Sequence, residues 1–248
     1  MEFTGKTAII TGGASGMGAA TARLFAKRGG IPLIVDRNEP LARAVAAEIG
    51  ADEPLCGDVT DSAFCDAVVA HCKAAYDQVD YLVNAAGIIA RAGGLATDDA
   101  TWERVMAVNV HGTFYMCRAA LREMVAQGQG AIVNFGSIWG GVGAAGVLAY
   151  CTSKGAVHNM TRALALEHAQ DNIRINAVCP GEVDTPMLAS ARSEPVTAEL
   201  MARLAATVPT GRLAHPSEIA EVVLFLLSDR ASYMTGSLVN VDAAFTAR

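Results

Sequence analysis

Tyr150 and Lys154 stand four positions apart, so on a helix both side chains share a face, one turn from each other. An ammonium there favours the phenolate, lowers the tyrosine pKa and makes the phenol a usable acid or base near neutral pH. A solvent-exposed helical pair has the same spacing, but with five tyrosines and four lysines in 248 residues chance supplies only roughly 0.1 such pairs. Ser137 lies 13 residues earlier, after an apolar run, and its hydroxyl can hydrogen-bond the oxygen of an alcohol or carbonyl. Serine is also a common turn residue in a Gly-rich loop. Asn109 is a polar residue in an apolar helical stretch and, if buried, needs a hydrogen-bonding partner.

A second set of residues suits a phosphate-bearing ligand. Gly12, Gly16 and Gly18, with Ser15 and Met17 among them, fill a turn between a β-rich run and a helical one. Missing Cβ atoms let the backbone turn tightly and approach a pyrophosphate held by helix N-terminal N–H groups. The spacing is GxxxGxG, which differs from the GxGxxG dinucleotide fingerprint. Asp36 closes the next apolar run, 18 residues after Gly18. A carboxylate there accepts hydrogen bonds from an adenosine ribose and repels a 2′-phosphate, favouring NAD over NADP, although the adjacent Arg37 is placed to meet a phosphate. Asp58 and Val59, and then Asn84, Ala85, Ala86 and Gly87, follow later strands and suit further contacts to such a cofactor. Each alone reads as a turn.

Positioning these groups requires strands that end where they lie. Short apolar runs at 7–10, 31–35, 54–57, 79–83, 131–135, 173–178 and 237–241 read as strands. Helical patterns at 19–28, 39–49, 61–76, 101–125, 150–168 and 216–227 fall between them, the last with Pro216 near its start. This alternation predicts one doubly wound α/β domain over 1–248, a mostly parallel sheet with helices on both faces and its ligand at the carboxyl ends of the strands.

The 25 acidic residues outnumber 19 basic ones, for a formal net charge of −6, which argues against a nucleic-acid partner. A 52% hydrophobic composition excludes disorder, and charges break every apolar run before it reaches membrane-spanning length. The first residues show no basic-then-apolar leader, so a cytoplasmic location is expected. Six cysteines (56, 65, 72, 117, 151, 179) and five histidines show neither a disulfide framework nor metal-ligand spacing, so no metal is expected.

Taken together, the pieces resemble the short-chain dehydrogenase/reductase family across essentially the whole chain. They are Thr11-Gly12-x-x-x-Gly16-x-Gly18, Asp58, Asn84-Ala85-Ala86-Gly87, Asn109, Ser137, Tyr150-x-x-x-Lys154, Asn176-x-x-x-Pro180-Gly181 and Tyr233-x-Thr235-Gly236. The resemblance implies a seven-stranded Rossmann-type sheet, with about 1–100 mainly binding the cofactor and about 101–248 serving catalysis and oligomerisation. It implies a catalytic tetrad: Tyr150 exchanges a proton with a secondary alcohol or ketone, Ser137 fixes the substrate oxygen, Lys154 holds the nicotinamide ribose and depresses the Tyr150 pKa, and Asn109 positions a water. Pro180, Gly181, Val183 and Thr185 would contact the carboxamide end of the cofactor, and Tyr150 and Lys154 also touch it. A homotetramer is implied, or less often a dimer, with the helices at about 101–126 and 150–168 at the interface.

The region at about 182–209 corresponds to the family's variable substrate lid. Met187, Arg192 and Arg203 from it, with Ile89, Arg91, Ile138 and Trp139, are expected to line the substrate pocket, and the three arginines suit an anionic group on the substrate. Three departures stand out: Ala85 replaces a second asparagine, Ala243-Ala244 replace a glycine pair, and Cys151 follows the tyrosine. A 3-oxoacyl-carrier-protein reductase is the alternative activity, which Asp36 argues against. A non-catalytic cofactor-binding regulator is the alternative class, which the intact tetrad argues against.

Overall fold

The computed structural model describes residues 1–192 and 195–247. Seven strands form a single sheet: β1 (Thr7–Thr11), β2 (Ile31–Asp36), β3 (Leu55–Cys56), β4 (Tyr81–Asn84), β5 (Gly130–Phe135), β6 (Ile173–Pro180) and β7 (Leu238–Val241). All neighbours pair in parallel, in the order β3-β2-β1-β4-β5-β6-β7. The chain begins in the middle and winds outward one way to β3, then crosses back past β1 to β4. That reversal opens a crevice at the carboxyl ends of β1 and β4, where doubly wound sheets bind ligands. The expected α/β sheet is the observed one.

Alternation along buried strands divides the core. Ile10 and Ile34 face one layer with Phe25, Ile219 and Leu224, while their neighbours Ile9 and Leu33 face the other with Val68, Met116 and Met124. Helices α1 (Gly16–Lys27), α2 (Glu39–Ile49) and α8 (Pro216–Leu227) cover the first face. On the opposite face lie α3 (Ser62–Tyr76), α4 (Asp99–Met106), α5 (Thr113–Gln127) and α6 (Leu148–Glu167). Among the described residues no helix is long and apolar enough to cross a membrane.

Two elements differ from the sequence reading. The stretch expected as one helix at 101–125 is broken by a π-helical turn over Ala107–Gly112, which carries Asn109. Thr113 Oγ1 donates to the Asn109 carbonyl at 2.8 Å inside this widened turn. The region expected only as a lid contains a short 3₁₀ turn, Pro186–Leu188, and a regular helix, α7 (Ala198–Thr207), capped by Thr197.

Buried polar side chains tie the layers together. Asn84 Nδ2 donates to Asn134 Oδ1 at 2.9 Å, and Asn134 Nδ2 donates to Thr161 Oγ1 at 3.0 Å, joining β4, β5 and α6. Arg174 donates to the carbonyls of Leu226, Leu227, Ser228 and Ala231, satisfying the orphaned C-terminal end of α8.

Candidate active site

The turn after β1 is shaped by the absence of side chains. A Cβ on Gly12, whose φ is +65°, would lie 2.7 Å from the Ala86 amide nitrogen, and one on Gly18 would lie 2.2 Å from the Gly12 carbonyl oxygen. Only glycine lets β1, the loop after β4 and the start of α1 approach so closely. Ser15 precedes α1 without using its side chain as a cap, so the first-turn N–H groups are left for a ligand. Together these segments enclose a cleft of about 430 Å³. At its far end Asp36 is oriented by two backbone amides, Ala14 N at 3.1 Å and Asn38 N at 2.9 Å.

Of the expected cofactor residues, Gly12, Ser15, Gly16, Met17, Gly18, Asp36, Arg37, Asp58, Val59, Ala85, Gly87 and Thr185 all line this cleft. Asn84 does not. Its side chain turns into the sheet to meet Asn134 and the Cys117 sulfur, because a polar residue at the last position of an interior strand is itself enclosed by its neighbours. Ala14, Leu41, Ile88 and Val108 also line the cleft and went unnoticed, since apolar wall residues carry no chemical signature. The glycine cradle, free helix amides and ribose-facing carboxylate fit a nicotinamide dinucleotide. Those residues would hold it, and when bound it supplies a hydride acceptor or donor.

A second cavity of about 200 Å³ adjoins the first, with Met17, Thr185 and Met187 lining both. Tyr150 and Ser137 face this second cavity, as do Ile89, Arg91, Trp139, Pro180, Gly181, Val183 and Arg192. Two expected members are elsewhere. Ile138 is 2% exposed in the core, because successive residues of the 3₁₀ turn Ile138–Gly140 point in different directions and only Trp139 reaches the cavity. Arg203, on α7, lines a separate outer cavity beyond Arg91 and Arg192.

Tyr150 and Lys154 share a face of α6, both buried, with the ammonium 5.6 Å from the ring centroid. Lys154 Nζ donates to the Phe135 carbonyl at 2.7 Å and opens onto neither cavity. Burial pushes the Tyr150 phenol up to about 12, partly offset by a hydrogen bond with the Ser137 hydroxyl, while burial pulls Lys154 down to about 8. The expected lowering of the Tyr150 pKa by Lys154 is therefore not what this structure shows. Each group is desolvated, and the ammonium is spent on a carbonyl instead of the phenolate.

Asn109 is fully buried, and its amide is consumed within the protein. Its Nδ2 donates to Ile88 O and Ser153 Oγ, both at 2.9 Å, and its Oδ1 accepts from Ile88 N at 2.8 Å. It therefore clamps the loop after β4 to α6 and leaves no free side-chain donor for the expected water.

His158 was missed. It sits four positions beyond Lys154 on the same face of α6, so the spacing that flagged the pair could have extended to it. Its Nε2 accepts from Ser137 N at 3.4 Å and lies 3.2 Å from Cys179 Sγ, and burial pulls it down to about 4, keeping it neutral. A Cβ on Gly136 would fall 2.5 Å from His158 Nε2, so this ring is wedged directly beneath the Ser137 loop. Glu182, half-buried in the second cavity, was missed as well.

The fold and this paired cleft define a dinucleotide-binding oxidoreductase. A family model described as enoyl-(acyl carrier protein) reductase matches residues 12–246. The galactitol 2-dehydrogenase (L-tagatose-forming) of Cereibacter sphaeroides is 44% identical, over 99% of this chain and 96% of its own length. The cis-4-hydroxycyclohexanecarboxylate dehydrogenase of Sinomonas cyclohexanicum is 41% identical, over 99% and 98%. The crystal structure of a short-chain type dehydrogenase/reductase from Mycobacterium marinum superposes with a TM-score of 0.92 at 33% identity, covering 100% of this chain and 98% of that one. The chain belongs to the short-chain dehydrogenase/reductase family, and is an oxidoreductase acting on CH–OH groups with a nicotinamide cofactor.

Proposed function

We propose that the protein oxidises a small secondary alcohol to a ketone, or runs the reverse reduction, with NAD preferred over NADP and Tyr150 as the acid/base. The observation carrying this reading is that the Tyr150 phenol and Ser137 face a cavity that shares Met17, Thr185 and Met187 with the cofactor cleft. In reduction the Tyr150 phenol donates its proton to the carbonyl oxygen, in oxidation its phenolate takes the proton from the substrate hydroxyl, and Ser137 donates to the substrate oxygen in both directions. Lys154 holds positive charge beneath the phenol, anchored at Phe135 O. His158 holds the Ser137 amide from below, and Asn109 keeps α6 in register with the loop after β4.

Asp36 supports the NAD preference, since its carboxylate is held at the cleft edge by two amides and would repel a 2′-phosphate. Exposed Phe114 on α5 and Leu148 and Leu166 on α6 support assembly through these helices into a homotetramer, with a dimer as the alternative. Six free cysteines support a reducing, cytoplasmic setting. The relatives' names give one neutral polyol and one hydroxy acid, so substrate choice falls to the residues of the second cavity.

The test is a screen of secondary alcohols, polyols and hydroxy acids with NAD and with NADP, read by absorbance of the reduced cofactor, with Tyr150→Phe as the blank. NAD-dependent reduction absent from the blank is expected. A preference for NADP overturns the Asp36 argument and favours the reductase alternative, while equal signal in Tyr150→Phe overturns the mechanism.

A further inference from the structure

The second cavity carries a charged wall. Facing the same space as Tyr150 are Arg91, from the segment after β4, Glu182, just beyond β6, and Arg192, beyond the 3₁₀ turn Pro186–Leu188. Each guanidinium is fixed through its Nε to a backbone carbonyl, Arg91 to Ser190 O at 3.1 Å and Arg192 to Leu188 O at 2.6 Å. Both terminal forks are left without a hydrogen-bond or ion-pair partner among the described residues.

The three charges act on one another. Arg91 is made less basic by burial and by the nearby charge of Arg192, and Glu182 is raised by burial and drawn back down by both arginines. Glu182 forms no close ion pair with either, so among the described residues the wall carries two guanidiniums against one carboxylate. Tyr150 lines the same cavity as Arg91 and Glu182, so this wall and the phenol face one space. Arg203 extends the positive field into the outer cavity, which Arg91 and Arg192 line as well. A half-buried guanidinium with a free planar fork is complementary to an oxyanion, and two of them lining one cavity select for it.

We propose that the physiological substrate is a monoanionic secondary alcohol whose oxyanion is held between Arg91 and Arg192 while its carbinol lies at Tyr150 and Ser137. The inference rests on the dehydrogenase reading and specifies its substrate class. Glu182 is the counter-charge of this wall, limiting what the pair neutralises to a single negative charge.

The test uses a series of methyl carbinols carrying a carboxylate one to four methylenes away, each beside its uncharged primary amide, with sulfonate and phosphonate analogues as further arms. At the chain length that spans the cavity, the acid should exceed its amide at least about tenfold in kcat/KM. Arg91→Gln and Arg192→Gln should each lower the acid's kcat/KM about 10- to 100-fold, through KM, and leave the affinity for NADH unchanged as a check of folding. Glu182→Gln should tighten the acid a few-fold. In parallel, pentanoate is titrated into the NADH complex and followed by tryptophan fluorescence, Trp139 being in the same cavity. Saturable binding weakened in both arginine variants is expected.

Equal kcat/KM for acid and amide at every length, or pentanoate binding that both arginine variants leave unchanged, overturns the proposal. If no alcohol of any charge is oxidised while pentanoate binding still depends on the arginines, the dehydrogenase reading fails and the anion site stands.

Discussion

Around β1 and β2 the cleft is shaped by what the residues lack: Gly12 and Gly18 exist as contacts of 2.7 and 2.2 Å waiting for any Cβ, and the ligand meets backbone amides. Past β5 and β6 the reverse holds. Tyr150, Lys154, His158 and Cys179 fill the space with functional groups, four buried side chains whose protonation is set by burial. A ligand common to many alcohols can be held by backbone, which is the same for every residue. Proton transfer and substrate choice need side chains, and side chains near neutral pH must be desolvated and partnered to act.

The largest effect expected from breaking this contrast is Tyr150→Phe, which removes the proposed acid/base and should cut turnover about 10²- to 10⁴-fold while leaving NADH binding intact, as measured by steady-state kinetics and fluorescence titration. Second comes the pH dependence carried by His158. The unfolded chain takes up this proton at its ordinary 6.5 and the folded protein only near 4, so stability falls as pH drops through that window. The loss should approach about 3 kcal/mol, and urea titrations of His158→Gln should show a shallower acid slope than the parent. A parallel slope would place the imidazole outside the desolvated set.

Gly12→Ala probes the other side. The new methyl meets Ala86 backbone at 2.7 Å and inherits a φ of +65°, and should cost about 1–3 kcal/mol in thermal unfolding together with most of the cofactor affinity. An unchanged melt and unchanged NAD binding would mean that the turn relaxes and that backbone shape does not set this region. The smallest expected effect is Asp36→Ala, which should reduce the NAD-over-NADP ratio of kcat/KM by about tenfold without altering the pH profile set near Tyr150.

The backbone-built region was the more legible. Its glycines and Asp36 sit immediately after strands, where local order alone places them at the sheet edge, while the Asn84 side chain turns away from the cleft into the sheet. In the side-chain region the Tyr150/Lys154 spacing placed both on one helical face but says nothing of their burial, which pushes the phenol up and the ammonium down. Glu182 has no periodic signature, and it matters only because the end of β6 meets Arg91 and Arg192 from distant segments. Ile138 and Arg203 show the reverse, being near in sequence to pocket residues yet placed in the core and in the outer cavity.

By itself, then, the sequence determined the α/β alternation, the family, the glycine turn and the placement of Tyr150 and Lys154 on one helical face, since each follows from short-range pattern and residue chemistry. Only the tertiary structure decided that Asn109 is a clamp, that His158 supports Ser137, and that two arginines and a glutamate line the same cavity as Tyr150. Those facts depend on which distant segments meet and how much water they exclude, and a buried charge or hydrogen bond takes its energy from that enclosure.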